Sequence, residues 1–421
     1  MPVAPAMCYC TRVDRVLVIA ATTAYQTGDL VAAAGRVGVE VVLATDRCQR
    51  LAANWWAEGP LAVDFRRPER AADAIVAQAG DVAGVVATDE RTAVIAALVG
   101  ERLGLPHNAP SAARATADKL QMRRLLAAGG VAQPAWRHVA DWRVPGDVRF
   151  PVVVKPRHLS TSRGVMRADD PDELAARLDR LRALVSRPDV AARAPADAGV
   201  LVEQFVPGPE VAFEGLVVDG EVRPLALFDK PEPLDGPFFA ETIYVTPSRL
   251  PGDVQRAIRR TVAAAAAAIG LRHGPVHAEL RLAGGIEPVV VEVAARSIGG
   301  LCGRALRFGA GVSLEEVVIA HAVGRDVGAL ARERAASGVL MLPVERAGVL
   351  RGVRGADAAR AVPGVVDVVI TARRGDILEP LPEGHAYLGF AFARGDGPDQ
   401  VVAALAAARA RLDVDVAPRL A

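Results

Sequence analysis

The stretch "GPVHAELRLAGGIEPVVVEVAAR", residues 274–296, predicts two long strands joined by a glycine turn. Because side chains alternate between two faces along a strand, each strand presents one face that carries charged residues. Glu279 and Glu292 lie within apolar runs, where an unpaired carboxylate either costs several kcal/mol or becomes protonated. The hairpin therefore brings together two carboxylates that need cations.

Two interpretations of this hairpin stay open from the residues alone. In the first, Mg2+ binds Glu279 and Glu292 and completes its ligand shell with nucleotide phosphate oxygens and water. Arg296, two residues beyond Ala294 on the face of Glu292, could then contact a transferred phosphoryl group. In the second, the carboxylates form structural salt bridges with Arg281 and Arg296, and the pattern favours this equally.

Lysine usage is the second unusual feature, since arginine supplies all but three of the 50 basic residues. The three are Lys119, Lys155 and Lys230, and Lys155 ends the predicted strand "FPVVVKP", residues 150–156. A compact ammonium suits a polyphosphate, and the aliphatic stem can lie along apolar surface. We therefore predict that Lys119 and Lys155 reach nucleotide phosphates.

A polar loop, "RHLSTSRGV" at residues 157–165, separates the strand of Lys155 from the next predicted strand. Its small residues Ser160, Thr161, Ser162 and Gly164 could turn successive backbone N–H groups toward an anion. No Walker A pattern is present, so the loop by itself is weak evidence for a phosphate site. Taken alone, it is better explained as a plain hairpin turn.

The stretch "VEQFVPGPE", residues 202–210, offers the groups that a nucleoside needs. The backbone of Phe205 and Val206, following Glu203, could pair with a purine edge, and Glu210 could accept hydrogen bonds from a ribose. An acidic surface loop explains the same stretch equally well.

Composition and charge exclude several classes of protein. A net charge of +1, from 50 basic and 49 acidic residues, argues against a general nucleic-acid surface. The four cysteines form no CxxC pair, which favours neither zinc nor disulfides and is typical of a reducing compartment. Nothing resembles an export signal, and the apolar run at 261–270 is too short to span a membrane. We expect a cytoplasmic location.

The fold class predicted from the pattern is a multidomain α/β and α+β protein. Strands at 15–20, 39–45 and 82–88 alternate with helices, which predicts a parallel sheet of Rossmann-like order. No G-x-G-x-x-G follows the first strand, so a dinucleotide site and a dehydrogenase are poorly supported. From about residue 331, strands and a final helix predict a small α+β module.

In their order, five stretches resemble the ATP-grasp superfamily of carboxylate–amine ligases over roughly residues 12–330: "ADKLQMRRLLAAGG", "PVVVKP" with "STSRGV", "VEQFVPGPE", "GPVHAEL" and "VVVEVAARSIGG". The resemblance implies ATP and two Mg2+ ions, which Mn2+ could replace, as cofactors. It assigns the nucleotide to one set of residues: Lys119, Lys155, Ser160, Thr161, Ser162, Gly164, Glu203, Phe205, Val206, Glu210 and His277. Of these, the lysines and the loop take the phosphates, residues 203–206 the adenine, and Glu210 the ribose.

The resemblance also assigns the metal to Glu279 and Glu292, with Glu292 bridging, and the γ-phosphate and acyl phosphate to Arg296. Many members of that superfamily carry Asn two residues after the bridging Glu, where this chain has Ala294. We interpret that difference as a property of the subfamily, and it leaves the protein ligands of the second metal undefined.

Within that superfamily the chain is most similar to L-amino-acid ligases, or dipeptide synthetases. The stretches that carry this likeness are "FDKPEPLDGPFFAETIYVTPS", residues 228–248, "EVAARSIGG", and the C-terminal segments "GVLMLP" and "PLPEGHAYLGFAFARG". Lys230 and Glu241 are thereby placed near the substrate, in the catalytic group with Arg296. The implied domains are a Rossmann-like unit at 1–110, an ATP-grasp domain of two subdomains at 111–330, and an amino-acid-ligase module at 331–421.

The implied activity is ATP-dependent formation of an amide, through an acyl phosphate, from an amino acid or similar acid and an amine. We expect small-molecule substrates, with neither nucleic acid nor membrane as partner, and a homodimer as the default assembly. Two alternatives stay open: another ATP-grasp ligase, of the carboxylase or nucleotide-biosynthesis type, and a non-catalytic nucleotide-binding protein that kept the fold.

Overall fold

The computed structural model describes residues 13–46, 59–191, 199–328 and 330–419. Three of the four cysteines lie outside the described residues: Cys8, Cys10 and Cys48. Among the described residues, no helix combines the length and the apolar character that crossing a bilayer requires.

The N-terminal unit is built on a parallel sheet in the order β3-β2-β1-β4. Its central strand has fully buried side chains because the run "VLVI" at 16–19 is covered by helices on both faces. Glu90 opens the helix after the last strand, directly after the capping residue Asp89, and so lies at the carboxyl edge of the sheet. The elements are β1 (Arg15–Ala20), α1 (Thr27–Val37), β2 (Glu40–Thr45), β3 (Leu61–Ala62), α2 (Pro68–Ala79), β4 (Gly84–Ala87) and α3 (Glu90–Leu103).

Two short helices, α4 (Pro110–Ala117) and α5 (Lys119–Ala128), lead out of this unit as the predicted helix pair. Asp118 separates them, since its backbone is extended and its carboxylate accepts the Leu120 N–H. The break sets Lys119 at the first position of α5, with its ammonium directed toward the next subdomain.

A small antiparallel sheet in the order β5-β8-β6-β7 forms the first half of the predicted ATP-grasp region. Helix α6 covers one face, with Leu174, Leu178, Leu181 and Leu184 buried at helical spacing. The elements are β5 (Trp136–Val139), β6 (Val152–Pro156), β7 (Met166–Ala168), α6 (Pro171–Val185), α7 (Pro188–Ala191) and β8 (Val200–Gln204). Lys155 therefore lies near the end of a strand, as predicted, and that strand is paired on both sides within the sheet.

An eight-stranded sheet in the order β13-β12-β9-β10-β11-β16-β20-β18 forms the body of the molecule. The apolar run at 261–270 forms the last part of α8 and the glycine that ends it, and the small residues of this helix pack closely on the sheet. The elements up to residue 322 are β9 (Glu210–Val218), β10 (Glu221–Asp229), β11 (Ile243–Thr246), α8 (Gly252–Ile269), β12 (Gly274–Ala283), β13 (Glu287–Ala294), a 3-10 helix (Cys302–Ala305), β14 (Arg307–Phe308), β15 (Val312–Ser313) and α9 (Leu314–Ala322).

The C-terminal region shares this sheet. Strand β16 pairs with β11, and β20 and β18 extend the sheet beyond it, so the backbone ladder crosses the boundary predicted near residue 331. A separate three-stranded sheet, β19-β17-β21, completes the region. The elements are β16 (Ala336–Pro343), β17 (Gly348–Arg354), α10 (Ala356–Arg360), β18 (Val365–Ile370), β19 (Ile377–Leu378), β20 (Tyr387–Gly395), α11 (Pro398–Arg409) and β21 (Asp413–Ala417).

Candidate active site

A cavity with about 1200 Å³ of empty space, mouth included, lies between the small antiparallel sheet and the eight-stranded sheet. Most of the predicted site residues line it: Lys119, Lys155, Ser160, Thr161, Ser162, Glu203, Phe205, Val206, Glu210, Glu241, His277, Glu279, Glu292 and Arg296. Gly164 and Lys230 are not among its lining residues. The fold thus collects residues from across some 180 positions of sequence around one space.

The hairpin β12–β13 places Glu279 directly opposite Glu292, so their side chains share one face. A bulge follows at once, between Glu279 and Leu280, and ends the regular pairing there. The side chains are 20% and 24% exposed respectively, which leaves oxygen atoms open to the cavity. Two partly exposed carboxylates that face each other fit a divalent cation shared with phosphate oxygens.

Lys230 lies beneath the cavity, at the centre of three carboxylates. Its ammonium is 2.7 Å from Glu210, 2.6 Å from Glu241 and 3.5 Å from Glu279. These three carboxylates have ligand atoms within 4.8 Å of one another, so by spacing alone they could hold a metal ion. The Lys230 ammonium already supplies the cation there, so the pair Glu279 and Glu292 is the better candidate for a metal.

The buried charges shift each other's protonation. Burial alone would raise the pKa of Glu279, but the Lys230 ammonium and His277 outweigh it and hold that pKa well below its usual range. For Glu241, burial and the Glu279 charge prevail over Lys230, and its pKa is raised. Burial would lower the pKa of His277, but the Glu214 carboxylate overcomes it and raises the pKa to about 9. Glu279 is therefore an anion ready for a cation, whereas the raised pKa of Glu241 means that it is protonated more easily than an ordinary carboxyl.

Arg296 enters the cavity from the loop after β13 and pairs with Glu90 of the N-terminal unit. Its Nε and Nη2 atoms lie 3.0 and 2.5 Å from one Glu90 oxygen. Both side chains are 14% exposed and line the cavity. Arg296 is thus held by an ion pair with a residue 206 positions away in the chain.

Glu203 is engaged in a buried ion-pair network. Arg123 of helix α5 donates to both of its oxygens, at 2.7 and 3.0 Å, and the Lys155 ammonium is 2.9 Å away. The Glu203 side chain is 1% exposed. Both oxygens of this carboxylate are therefore already paired with cations, so the side chain stabilises the fold. The predicted contact of Glu203 with adenine stays a prediction.

One wall of the cavity is apolar. Val153, Phe205 and Phe239 cluster there, with Val165 and Leu234 packed against them. Such a wall suits the faces of an aromatic base. The neighbouring backbone is partly engaged, because the Phe205 N–H donates to the Pro151 carbonyl at 3.0 Å and the Val206 carbonyl accepts from Arg281 at 3.0 Å.

The loop at 157–165 brings its hydroxyl residues to the cavity mouth. Thr161 and Ser162 adopt left-handed backbone conformations, with φ of 54° and 55°, which are costly for residues with a side chain. Lys119 donates to the Leu159 carbonyl at 2.7 Å and also lies 3.1 Å from Glu292. The loop, one predicted phosphate lysine and one candidate metal ligand are therefore in direct contact.

Gly164 faces away from the cavity. Its φ is +77°, and an added Cβ would lie 2.8 Å from Leu181 and 3.1 Å from Pro156. Gly164→Ala is therefore expected to destabilise the protein by about 1–3 kcal/mol through strain and overpacking. A urea titration followed by circular dichroism would measure this. Gly146→Ala is the control, since a Cβ added at Gly146 would have no atom within 4 Å apart from those of its chain neighbours. An unchanged Gly164→Ala midpoint would contradict this packing.

Several residues of this site were not predicted from the sequence. Glu90 could have been suspected, because it follows a strand at the carboxyl edge of a parallel sheet, where ligands commonly bind. Glu214, inside the apolar strand β9, carried the same signal as Glu279. No pattern in the nearby sequence indicated Arg123 or Tyr244. Arg123 pairs with Glu203, and the Tyr244 hydroxyl donates to Glu241 at 2.5 Å.

A second cavity adjoins the first, between the carboxyl edge of the N-terminal sheet and the C-terminal region. The two spaces share seven lining residues: Glu90, Ser160, Thr161, Arg296, Gly299, Gly300 and Tyr387. Arg296 and its partner therefore lie where the two cavities meet.

Comparisons with known proteins give two family matches. Residues 148–305 match the ATP-grasp domain, and residues 340–417 match the L-amino acid ligase C-terminal domain 2. Together they cover strands β6, β7 and β8 of the small antiparallel sheet, the β12–β13 hairpin and most of the C-terminal region.

Two relatives share just under 30% of their residues with this chain over the aligned regions. The uncharacterised protein y4rH of Sinorhizobium fredii is 29% identical over 303 residues, 70% of this chain and 60% of that protein. The alanine–anticapsin ligase of Bacillus subtilis is 28% identical over 258 residues, 56% of this chain and 53% of the ligase. The chain thus spans between half and two thirds of the length of these two relatives.

The crystal structure of an L-amino acid ligase from Bacillus licheniformis superposes with a TM-score of 0.79 at 24% identity, covering 97% of this chain and all of that one. At this identity the likeness establishes the fold, and the predicted ATP-grasp architecture is confirmed.

Proposed function

We propose that this chain, which carries an ATP-grasp domain and an L-amino acid ligase C-terminal domain, is an ATP-dependent ligase that joins an amino acid or similar acid to an amine. The observation that carries the proposal is the convergence of Glu279, Glu292, Arg296, Lys119 and Lys155 on one cavity of this fold. Each of these residue types serves phosphoryl transfer, in which positioning and charge neutralisation dominate.

The nucleotide is proposed to lie with its base against the apolar wall at Phe205 and its phosphates toward Lys119 and Lys155. Val206 and Gln204 border the base position along the same strand end. Glu210 uses one oxygen for Lys230 and the other for Arg281, yet a carboxylate has about four acceptor positions and can still accept from ribose hydroxyls. The Glu203 carboxylate is paired with Arg123 and Lys155. The backbone of residues 203–206, rather than this carboxylate, would therefore contact the adenine.

The residues present fit a divalent metal. Glu279 and Glu292 would hold Mg2+, which in this chemistry neutralises the phosphate oxygens and orients the γ-phosphate. Ala294 lines the cavity and its side chain offers no ligand atom, so Glu279 and Glu292 are the carboxylates that the hairpin contributes to the cavity. The number of ions stays part of the proposal.

The reaction would proceed in two steps. A substrate carboxylate oxygen attacks the γ-phosphorus, the bond to the bridging oxygen breaks, and ADP leaves. An amine then attacks the acyl carbon, the bond from carbon to the phosphate oxygen breaks, and phosphate leaves. Arg296, held by Glu90 at the junction of the two cavities, would neutralise charge on the acyl phosphate. The 160–162 segment at the mouth would exclude water that hydrolyses it.

Glu241 is proposed to orient the incoming ammonium or accept its proton. Its pKa is raised and so lies closer to neutral pH than that of an ordinary carboxyl. A general base works best when its pKa is near the working pH. Its oxygen is held by Lys230 and by the Tyr244 hydroxyl. Full activity of Glu241→Gln at every pH would exclude this role.

A matrix of amino-acid pairs with ATP tests the function. Phosphate and ADP are expected to appear only when a suitable acid and amine are present, with a product mass equal to the two substrates less one water. Bicarbonate in place of the acid is the discriminating control. Release driven by bicarbonate would favour a carboxylase-type ligase, and ATP binding without turnover under any pair would favour a non-catalytic protein.

A further inference from the structure

Glu214 is a fully buried carboxylate that the mechanism above does not use. It lies on the central strand β9, and its side chain is 0% exposed. One oxygen accepts a hydrogen bond from His277 Nδ1, and the other accepts from the Ile298 N–H at 3.2 Å. Both oxygens are engaged, so the carboxylate has a fixed orientation.

His277 links this buried group to the cavity. Its other ring nitrogen, Nε2, lies 3.4 Å from Glu279 Oε1. Because both ring nitrogens face carboxylates, the ring is placed to donate on both sides. The geometry runs from Glu214 through His277 to the carboxylate proposed for the metal, and Lys230 approaches the same Glu279 oxygen at 3.5 Å from another side.

The register of the sheet makes this arrangement possible. His277 pairs directly with Glu214 across β12 and β9, and Glu279 follows two residues later on the same face. Two-residue spacing lets one imidazole bridge a buried anion and a cavity-facing one.

We propose that Glu214 is a positioning residue that, through His277, holds the Glu279 carboxylate in the orientation that binds the divalent cation. The inference rests on the proposed function, since it needs a metal at Glu279. Removal of outer partners that orient a metal ligand typically weakens metal affinity about 10–100-fold. Glu214 thereby acts on the metal without touching it.

The test is a titration of Mn2+ into the full-length protein with a non-hydrolysable ATP analogue, followed by electron paramagnetic resonance of free Mn2+. Glu214→Gln and His277→Gln are each expected to raise the Mn2+ dissociation constant at least about 10-fold. Because both residues act on Glu279 through the same contacts, the Mn2+ dissociation constant of the double variant should lie within about threefold of that of the single variant that binds Mn2+ less tightly.

Glu316→Gln serves as the matched control. Glu316 completes the capping box of helix α9 and pairs with Arg36, away from the cavity. This variant is expected to lower the melting temperature and leave the Mn2+ affinity unchanged, which separates loss of stability from loss of orientation.

Unchanged Mn2+ affinity in folded Glu214→Gln, or losses that multiply in the double variant, would overturn the proposal. If Glu214→Gln does not fold, Glu214→Asp keeps the charge but shortens its reach, and wild-type affinity in that variant would overturn it equally. ADP release by the wild-type protein is measured separately. Its absence with Mn2+ binding intact would refute the ligase function alone.

Discussion

Glutamine at position 279 is expected to lower amino-acid-dependent ADP release about 10³-fold. Glu279 faces Glu292 across the hairpin and opens onto the cavity, so Glu279→Gln removes one of the two carboxylates proposed for the metal. Charge stabilisation by a bound metal is worth several kcal/mol, and each 1.36 kcal/mol is about tenfold in rate. The measurement is a coupled assay of ADP release at saturating ATP and several Mg2+ concentrations.

The matched control is Glu287→Gln, an exposed glutamate at the start of β13, the partner strand of β12 in the same hairpin. It changes the same charge on the same hairpin and should leave the rate within twofold of wild type. Activity of Glu279→Gln within tenfold of wild type would show that the metal does not depend on this carboxylate.

The largest expected effect on stability comes from Glu203. Arg123 and Lys155 both pair with it, and the Arg123 and Glu203 side chains are each 1% exposed. Glu203→Gln leaves two buried cations with a neutral partner, and breaking such a pair costs about 3–5 kcal/mol. Native-state hydrogen exchange of strands β6 and β8 should show a loss of protection of that size.

The same network predicts a dependence on pH. Burial acts to raise the pKa of Glu203, but Arg123 and Lys155 outweigh it and lower that pKa from 4.5 to about 2. Its stabilisation is therefore complete above pH 4.5 and is lost as the pH falls toward 2. Wild-type protection of β8 should decline across that window, and Glu203→Gln should lack this component.

An exposed pair provides the comparison. Asp147 and Arg137 are 60% and 56% exposed, so Asp147→Asn should leave protection unchanged because water screens such pairs. Protection in Glu203→Gln equal to that in Asp147→Asn would contradict the structural importance of the buried network.

The hairpin and the lysines could be predicted because their signals are local. Acids inside apolar runs, two strands and a glycine turn are all visible within residues 274–296, and the observed register places Glu279 opposite Glu292. Lys119 and Lys155 stood out by their rarity, and both line the cavity. Lys230 stood out equally, yet it lies beneath the cavity and forms ion pairs with three carboxylates.

The partners of these residues could not be predicted, because they come from distant parts of the chain. Arg123 meets Glu203 across 80 positions, and Glu90 meets Arg296 across 206. Nothing in the local pattern around Glu203 shows that its carboxylate is already paired. Only folding shows which polar groups remain directed into the cavity.

The C-terminal region illustrates the same point at the level of the backbone. A change in sequence character near residue 331 predicted a separate module, and residues 340–417 do match a family of their own. The pairing of β11 with β16 nevertheless joins the region to the central sheet. Strand pairing between segments nearly 100 residues apart leaves no signature in either segment alone.

The most direct test is a crystal structure with Mn2+ and a non-hydrolysable ATP analogue, analysed by anomalous scattering. We predict a metal peak about 2.1 Å from oxygens of both Glu279 and Glu292, with the analogue's phosphates near Lys119 and Lys155. A bound analogue with the metal elsewhere, for example among Glu210 and Glu241, or with no metal at the hairpin, would contradict this prediction.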